Sequence, residues 1–309
     1  MTATDPPATA PARTGFSLGR ALAWLAAVAA LPAATLALCL GLILHVRSKP
    51  AFGPPEAAAG EFTVAPGVSV QILPSHRALL RKDILDFDAN SQGAVVVRTS
   101  AGLYDLAGGR RVGPDPGREG LEITSMAFAG PGLTVITGDG RMGTWDDEGF
   151  SPVEMGGARP AAVFSSRDWK RLYVLGDRGW RDNVPWGLCS LAEDQPLRAE
   201  TGSSAEITAV TADEAGTVFA AGGAIFRLVA PGRPVMLVRL PGDEPVVGLA
   251  SAGGTIYFAT YENTYALGRE MAVPVVVGLG GRLRHTPGGL LVLDERREWL
   301  FRIVVEKPE

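Results

Sequence analysis

Residues 123–154 read ITSMAFAGPGLTVITGDGRMGTWDDEGFSPVE, a stretch of four short apolar runs separated by turns that contain Gly or Pro. The runs predict strands at Ile123–Phe128, Leu133–Thr137, Arg141–Trp145 and Phe150–Glu154. β-branched and aromatic residues crowd such runs throughout residues 62–305, and no helical i, i+3, i+4, i+7 pattern is clearer than the strand pattern. The stretch therefore predicts a unit of four short strands, with little helix in the rest of this region.

This unit recurs six times along the last three quarters of the chain. Each copy places a turn before its second strand, and the equivalent positions in these turns are Gly93, Gly132, Lys170, Gly216, Gly254 and Gly289. Successive positions differ by 39, 38, 46, 38 and 35 residues. Repeats of about 40 residues built from four short strands are typical of propeller blades, so the sequence predicts an all-β fold, a six-bladed β-propeller.

Two blades also resemble a known family of repeats. Residues 126–140, followed by Thr144, Trp145 and Asp146, resemble a WD-type repeat with its terminal Trp-Asp pair. Residues 164–177 are similar to the related bacterial propeller repeat, in which a Ser-Pro-Asp-Gly turn precedes the second strand. The other blades lack the Trp-Asp pair, and no blade has the Gly-His pair of the WD type. The resemblance therefore implies the fold and leaves the function open.

The ring needs one strand from outside the sixth repeat. Only three strands follow Gly281, at Arg282–His285, Leu290–Leu293 and Trp299–Val305. The apolar run Phe62–Leu73 is expected to supply the fourth by pairing with the Trp299 strand, which would remove two exposed strand edges. As an outer strand it is expected to start on the face opposite the insertion described below. The linker would then meet the propeller on that opposite face, and the face with the insertion would point away from a membrane. A seventh, degenerate blade is an open alternative.

A membrane anchor is predicted before the propeller. The 26 residues between Arg20 and Arg47 contain no Asp, Glu, Lys or Arg. At about 1.5 Å per residue, a helix of this length exceeds the roughly 30 Å hydrocarbon core of a bilayer. It is also longer than the apolar region of a cleaved signal peptide. The predicted organisation is a tail (1–20), a transmembrane anchor (21–46), a Pro/Ala/Gly-rich linker (47–61) and the propeller (62–305).

The predicted location is the bacterial inner membrane, with the propeller exported to the periplasmic side. The tail is short, and export of a large C-terminal part is usual for a single N-terminal anchor, although basic residues flank both ends of the span almost equally. The net charge of −4 argues against a nucleic-acid partner. Cys189 is the only cysteine beyond the span, so cysteine usage does not report the compartment.

Motifs that carry chemistry are absent or out of context, and no catalytic residue, metal site or cofactor is predicted. Residues 15–19 fit a nucleophile elbow and residues 138–143 a dinucleotide fingerprint, but neither lies between a strand and a helix. Asp86, Asp88 and Asn90 have the opening spacing of a calcium loop that lacks its Gly and Glu. His285 is expected to be a satisfied channel or core residue.

Four blades place a carboxylate ten residues before the equivalent turn position. These residues precede the innermost strands, and we call them the acidic ring: Asp83, Glu122, Glu206 and Glu244. In a propeller they would surround one mouth of the central channel, where charges of one sign attract a cation or a basic partner. The alternative is that each carboxylate caps a turn or pairs with a neighbouring blade.

The third blade contains an insertion of about eight residues between its second and third strands. The residues of this insertion that we predict to bind a partner are Arg178, Trp180, Arg181, Asp182 and Trp186. Insertions in repeat proteins usually lie on a binding face, and Trp and Arg are enriched at the energetic centres of interfaces. The tryptophans could instead fold back over a blade edge.

The sequence thus favours a non-enzymatic protein-binding module or scaffold in the cell envelope. The alternative is a metal-dependent propeller hydrolase, similar to a lactonase, with the acidic ring as the source of metal ligands. Binding is favoured because the acids recur at one equivalent position, whereas a hydrolytic site needs a mixed set of side chains on several inner strands.

Overall fold

A computed structural model describes residues 62–75, 79, 83–155, 159–177, 186–192, 195, 197–268, 271–294 and 299–306. Helix in these ranges is confined to short 3-10 turns such as Pro116–Glu119 and Pro241–Asp243. No helix of the described ranges has the length and apolar character needed to cross a membrane. The predicted span at 21–46 lies outside them and stays a prediction.

The described part of the chain is built from short strands. In chain order they are β1 (Thr63–Val64), β2 (Val68–Ile72), β3 (Ile84–Ala89), β4 (Val95–Thr99), β5 (Gly102–Asp105), β6 (Ile123–Ala129), β7 (Gly132–Thr137), β8 (Met142–Asp146), β9 (Gly149–Val153), β10 (Pro160–Ser165), β11 (Arg171–Asp177), β12 (Trp186–Ala192), β13 (Arg198–Ser203), β14 (Ile207–Asp213), β15 (Gly216–Ala221), β16 (Ala224–Ala230), β17 (Arg233–Arg239), β18 (Gly248–Ala252), β19 (Thr255–Ala259), β20 (Asn263–Leu267), β21 (Ala272–Val277), β22 (Arg282–Thr286), β23 (Gly289–Asp294) and β24 (Trp299–Val305).

These strands form six antiparallel sheets, which confirms the prediction of a six-bladed propeller. Blades one to four are β3–β5, β6–β9, β10–β13 and β14–β17; blade five is β18–β21 with β1, and blade six is β22–β24 with β2. The first strands of consecutive blades contact one another, and β22 of blade six contacts β3 of blade one. The first strand of each blade is therefore innermost, and the ring is closed around a central channel.

Blade two agrees with its prediction to within one residue at every strand end. Its inner strands are buried along nearly their whole length because neighbouring blades cover both faces. Phe87 of blade one packs with Met126 and Val135 of blade two in one such interblade core. Trp145 of the WD-like pair is buried there, and its Nε1–H donates to the Val112 carbonyl at 2.8 Å. It thereby ties the end of blade one to blade two.

Strand β2 closes the ring as expected. It pairs antiparallel with β24, with Val70 opposite Ile303, and so supplies the outer strand of blade six. The predicted run Phe62–Leu73 is, however, not one strand. Pro66 and Gly67 turn the chain, with a φ of 72° at Gly67, and the two residues of β1 pair with β21 of blade five.

This break corrects the expected entry of the chain. Strand β2 does start on the face opposite the beginnings of the inner strands, because it runs antiparallel to β24. The residues before it, however, come from the other face: Thr63 lies opposite Val277, the last residue of β21. The outer strand of a four-stranded blade ends on the face where the next inner strand begins. The described chain therefore starts at the edge of that face, and not on the far side as expected.

Candidate functional site

One face of the propeller carries the beginnings of all six inner strands. Because the strands of a blade alternate in direction, the loops between blades and the loops between second and third strands emerge on this face, which we call the mouth face. A cavity of about 340 Å³ opens there at the end of the central channel. We call it the mouth cavity; its lining is Asp86, Thr124, Ser125, Ala161, Ala162, Phe164, Leu175, Trp186, Glu206, Ile207, Thr208, Val247, Tyr261, Arg282 and Arg284.

The base of the mouth cavity is a group of buried charges at the junction of blades six and one. Arg282 Nη1 lies 3.2 Å from Asp86 Oδ1, and Arg284 Nη2 lies 3.8 Å from the same oxygen. Arg284 Nε lies 4.0 Å from Asp88 Oδ1. Both carboxylates are about 1% exposed and Arg284 is 8% exposed. The Cζ atom of Arg284 lies 4.5 Å from the centroid of the Phe164 ring, a cation–π contact.

Arg98 adds a third guanidinium to this group. It lies opposite Asp86 in the pairing of β3 with β4, and its Nη1–H donates to the Ile123 carbonyl at 3.0 Å. Burial lowers the pKa of Arg98 from its ordinary value, whereas the Asp86 charge opposes this shift and that of Arg282 adds to it. Three guanidiniums therefore surround Asp86.

Asp88 is the deepest carboxylate of the group. It accepts hydrogen bonds from the backbone N–H of Phe128, at 2.8 Å, and from the Ser165 hydroxyl. Burial raises the pKa of Asp88, although the charge of Arg284 and these two hydrogen bonds act against the rise. The calcium-loop spacing of Asp86, Asp88 and Asn90 is coincidental, since both aspartates lie within β3 and Asn90 Oδ1 accepts from the Gln92 and Ala94 N–H groups of the next turn.

The channel is closed at the level of Arg284 and Phe164. Both residues line the mouth cavity and also a second cavity, of only about 10 Å³, towards the opposite face. Trp169 and His285 lie beside that second cavity, with ring centroids 5.5 Å apart. Burial and the charge of Arg167 lower the pKa of His285 to about 4, so the imidazole is neutral at pH 7. His285 is a channel residue, as the sequence predicts, but it is not a satisfied one, because its buried Nδ1 has no hydrogen-bond partner in the described part of the chain.

The predicted site residues are only partly brought together. Arg178, Trp180, Arg181 and Asp182 lie outside the described residues. Trp186, at the start of β12, lines the mouth cavity and also packs, half-buried, against the core between blades three and four. The packing is the structural alternative considered for it, and its role in partner binding stays a prediction.

The acidic ring is distributed over the mouth face, and its members differ in position. Glu206 lines the mouth cavity. Asp83 and Glu122 are exposed and directly precede β3 and β6, and the half-buried Glu244 lies four residues before β18. The main chain of Glu122 also accepts a hydrogen bond from Gly138 N–H at 2.7 Å.

Sequence reasoning missed the arginines at the base of the cavity. A signal was available in the alternation of side chains along a strand. Asp86 and Asp88 lie two apart on the first strand of blade one, and Arg282 and Arg284 lie two apart on the first strand of blade six. Residues two apart share one face of a strand, and ring closure places these two strands side by side.

The described residues contain no cluster of three or more His, Cys, Asp or Glu side chains arranged to hold a metal ion. Asp86 and Asp88, the carboxylates of the channel, lie instead beside guanidiniums. What this arrangement can do chemically is to present fixed positive charge and aromatic surface to a ligand that enters from the mouth face.

Comparisons with known proteins agree on the fold alone. No family model matches the chain, and no curated protein matches it. Among solved structures, it is similar to a candidate gluconolactonase at 15% identity (TM-score 0.54, 82% of this chain and 98% of that one). A gluconolactonase from Xanthomonas campestris is 12% identical (0.51, 79% and 98%). The virginiamycin B lyase of Staphylococcus aureus is 13% identical (0.50, 75% and 82%). At these identities the likeness shows a propeller and nothing about activity.

Proposed function

We propose that this protein is a membrane-anchored binding module whose mouth face holds a partner protein of the bacterial cell envelope. The observation that carries the proposal is the composition of the mouth cavity, where Trp186, Tyr261 and Arg282 surround the opening. Tyr261 is 50% exposed, which is high for a large aromatic side chain. Trp, Tyr and Arg are the residues most enriched at the energetic centres of protein interfaces.

The acidic ring supplies the polar rim of this surface. Exposed carboxylates at Asp83, Glu122 and Glu206 would attract basic residues of the partner that surround its central contact. Replacing Glu122 and Glu206 together by Gln should weaken partner binding and flatten its dependence on salt concentration. An unchanged affinity with an unchanged salt slope would leave these residues only local structural roles.

The anchoring part of the proposal rests on the sequence. A single span at residues 21–46 would hold the chain in the inner membrane, and the linker 47–61 would carry the propeller on the periplasmic side. The repeats are proposed to be of the WD-like type, on the pattern of residues 126–146 and 164–177.

The test is site-specific photo-crosslinking of the full chain in intact cells. A photo-reactive residue at Tyr261 should give a discrete crosslinked protein, and the additional change Trp186→Ala should reduce its yield about tenfold or more. Met236, on the outer strand of blade four and 53% exposed, is the matched control position. Equal products from both positions, or a Tyr261 product indifferent to Trp186→Ala, would refute the mouth face as the binding surface.

The alternative is a metal-dependent hydrolase similar to the gluconolactonases named among the solved structures. Their propeller architecture favours it, whereas the pairing of Asp86 and Asp88 with arginines argues against carboxylates available for a metal. Metal analysis of the purified full chain, together with a lactone hydrolysis assay, separates the two. Stoichiometric calcium or a divalent transition metal, with hydrolysis lost in Glu206→Gln, the acidic-ring residue that lines the cavity, would establish the enzyme.

A further inference from the structure

The base of the mouth cavity holds more positive than negative charge. Arg98, Arg282 and Arg284 meet two carboxylates, those of Asp86 and Asp88. With both carboxylates ionised these five groups carry a net charge of about +1, and Glu206, which also lines the cavity, is exposed. The acids of the rim lie nearer the solvent, where their charge is screened more strongly.

Arg284 is buried with few hydrogen-bond acceptors around it in the described part of the chain. Its guanidinium is more than nine-tenths buried, yet its distances of 3.8 Å to Asp86 and 4.0 Å to Asp88 are too long for hydrogen bonds. Its one hydrogen bond within the described part of the chain is from Nη1 to the Leu283 carbonyl, at 3.4 Å, and Nε has no acceptor there. A buried guanidinium is costly unless acceptors satisfy it, so an acceptor entering the cavity would be bound favourably.

The cavity can admit such an acceptor. Its volume of about 340 Å³ is at the lower end of the range for small-molecule pockets. Arg282 and Arg284 line it from β22 of blade six, and the hydroxyl-bearing residues Thr124, Ser125 and Thr208 line it from the inner strands of blades two and four. The guanidinium of Arg284, which contacts the Phe164 ring, is itself planar and suits a planar, bidentate ligand.

We infer that the base of the mouth cavity is a carboxylate-binding site in which Arg284 and Arg282 hold the ligand's two oxygens. The carboxylate could belong to a free organic acid or to an Asp or Glu side chain of a bound protein. The inference concerns the cavity of the proposed function but does not depend on it, because either source presents the same group.

The test uses the purified full chain at constant ionic strength and pH 7. Succinate is the free-acid probe, and succinamide is its neutral counterpart. A pentapeptide with a central Asp and blocked ends is the protein-like probe, with its Asn analogue as control. Binding is measured by calorimetry and by the fluorescence of the tryptophans, since Trp186 lines the cavity. We expect saturable binding of succinate, the Asp peptide or both, and at least tenfold weaker binding of the amide counterparts.

Two variants localise the site. Arg282→Gln should weaken binding at least tenfold, and Arg284→Lys, which keeps the charge but loses the planar fork, should weaken it as well. Arg167→Gln is the matched control, because Arg167 also has a 36% exposed side chain but lies on the opposite side of the channel closure. It should leave binding unchanged.

Each outcome bears on the inference. Binding of the Asp peptide without succinate assigns the carboxylate to a protein partner, and binding of succinate assigns a free acid; both support the site. Failure of both probes overturns it, as does equal sensitivity to Arg167→Gln. Inorganic phosphate that binds as tightly as the carboxylates, and is lost in Arg282→Gln, would replace it with a general anion site. The crosslinking experiment at Tyr261 can fail while succinate binds, so the two proposals are tested separately.

Discussion

At the scale of single residues, Trp169 occupies a turn position whose backbone conformation favours glycine. The similar bacterial repeat has a Ser-Pro-Asp-Gly turn before its second strand, and Ser166 to Trp169 take this place here. Trp169 has a φ of 56°, a conformation that glycine adopts readily and other residues seldom do. Two hydrogen bonds to other blades hold Trp169 in this conformation. Its Nε1–H donates to the Ala89 carbonyl of blade one at 2.6 Å, and its own carbonyl accepts from the Gly130 N–H of blade two at 2.7 Å.

We predict that Trp169→Gly destabilises the protein even though glycine suits the backbone. The relief of strain is worth about 1 kcal/mol, whereas loss of a buried Trp side chain costs about 3–5 kcal/mol, so the net loss should be about 2–4 kcal/mol. Trp169→Phe, which keeps an aromatic ring but leaves the Ala89 carbonyl without its donor, should lose about 1–2 kcal/mol. Urea unfolding of the three proteins checks the order; a stabilised Trp169→Gly would contradict it.

His285 predicts a dependence of stability on pH. Its pKa in the folded protein is about 4, against about 6.5 in an unfolded chain. As pH falls below about 6.5 the unfolded chain takes up the proton first, so the stability that neutral His285 confers is lost progressively down to about pH 4. Because the ring keeps some access to solvent, the expected loss is on the order of 1 kcal/mol.

The measurement is the melting temperature of the protein and of His285→Leu between pH 7.5 and 4. Acidic groups elsewhere titrate in both proteins, so only the difference between the two curves reports His285. The difference should change across pH 6.5 to 4 and stay constant above that range. Curves that remain parallel throughout would show that His285 is protonated as readily in the fold as outside it.

At the same scale, the sequence predicts where a residue lies within its blade, but not which residues of different blades form ion pairs. The positions of Glu122 and Glu206 before inner strands follow from the repeat spacing alone. The pairing of Asp86 with Arg282 joins residues almost 200 positions apart, and it depends on which blade closes on which. Local pattern carries no such information until the ring is assumed to close between blade six and blade one.

At the scale of elements, the strands of blade two and blade six are predicted to within about one residue, because turns with Gly and Pro mark their ends. The N-terminal run was predicted less well. Its alternation is continuous from Val68 to Ile72, but Pro66 and Gly67 divide it from β1. Propensity indicated strand on both sides of this turn and could not indicate that the two pieces pair with different blades.

The closing strand β2 gives a matched pair of variants. Val70 is half-buried against the core of blades five and six, whereas its neighbour Gln71 points outwards and is exposed. Val70→Asp should lower the free energy of unfolding by about 2 kcal/mol, since it places a charge on the apolar side of the strand that closes the ring. Gln71→Asp should cost less than about 0.5 kcal/mol.

Urea unfolding of the two variants and the parent protein measures this difference. The negative charge is the same in both variants and the positions are adjacent, so a general charge effect would shift both midpoints equally. Equal midpoints for Val70→Asp and Gln71→Asp would mean that β2 contributes little to closing the ring.

At the scale of the whole molecule, β1 determines where the chain enters the propeller. The linker of residues 47–61 can extend by at most about 50 Å at roughly 3.3–3.6 Å per residue, and it joins the propeller where β1 lies along blade five. Since Thr63 lies at the mouth-face end of β21, the described chain starts at the edge of the surface proposed to bind the partner.

We predict that the span at residues 21–46 is retained and that the propeller lies outside the cytoplasm, because the span is long enough to cross a bilayer and the tail before it is short. Protease added to intact spheroplasts should then cut the chain between the span and the propeller and leave a small membrane-bound fragment, while a cytoplasmic marker protein survives. Since closed blades resist cleavage, the protease is expected to act first in the predicted Pro/Ala/Gly-rich linker, and the released propeller should migrate as one fragment of about its full length. Protection of the whole chain until the membrane is lysed would place the propeller in the cytoplasm and exclude an envelope partner on the outer side.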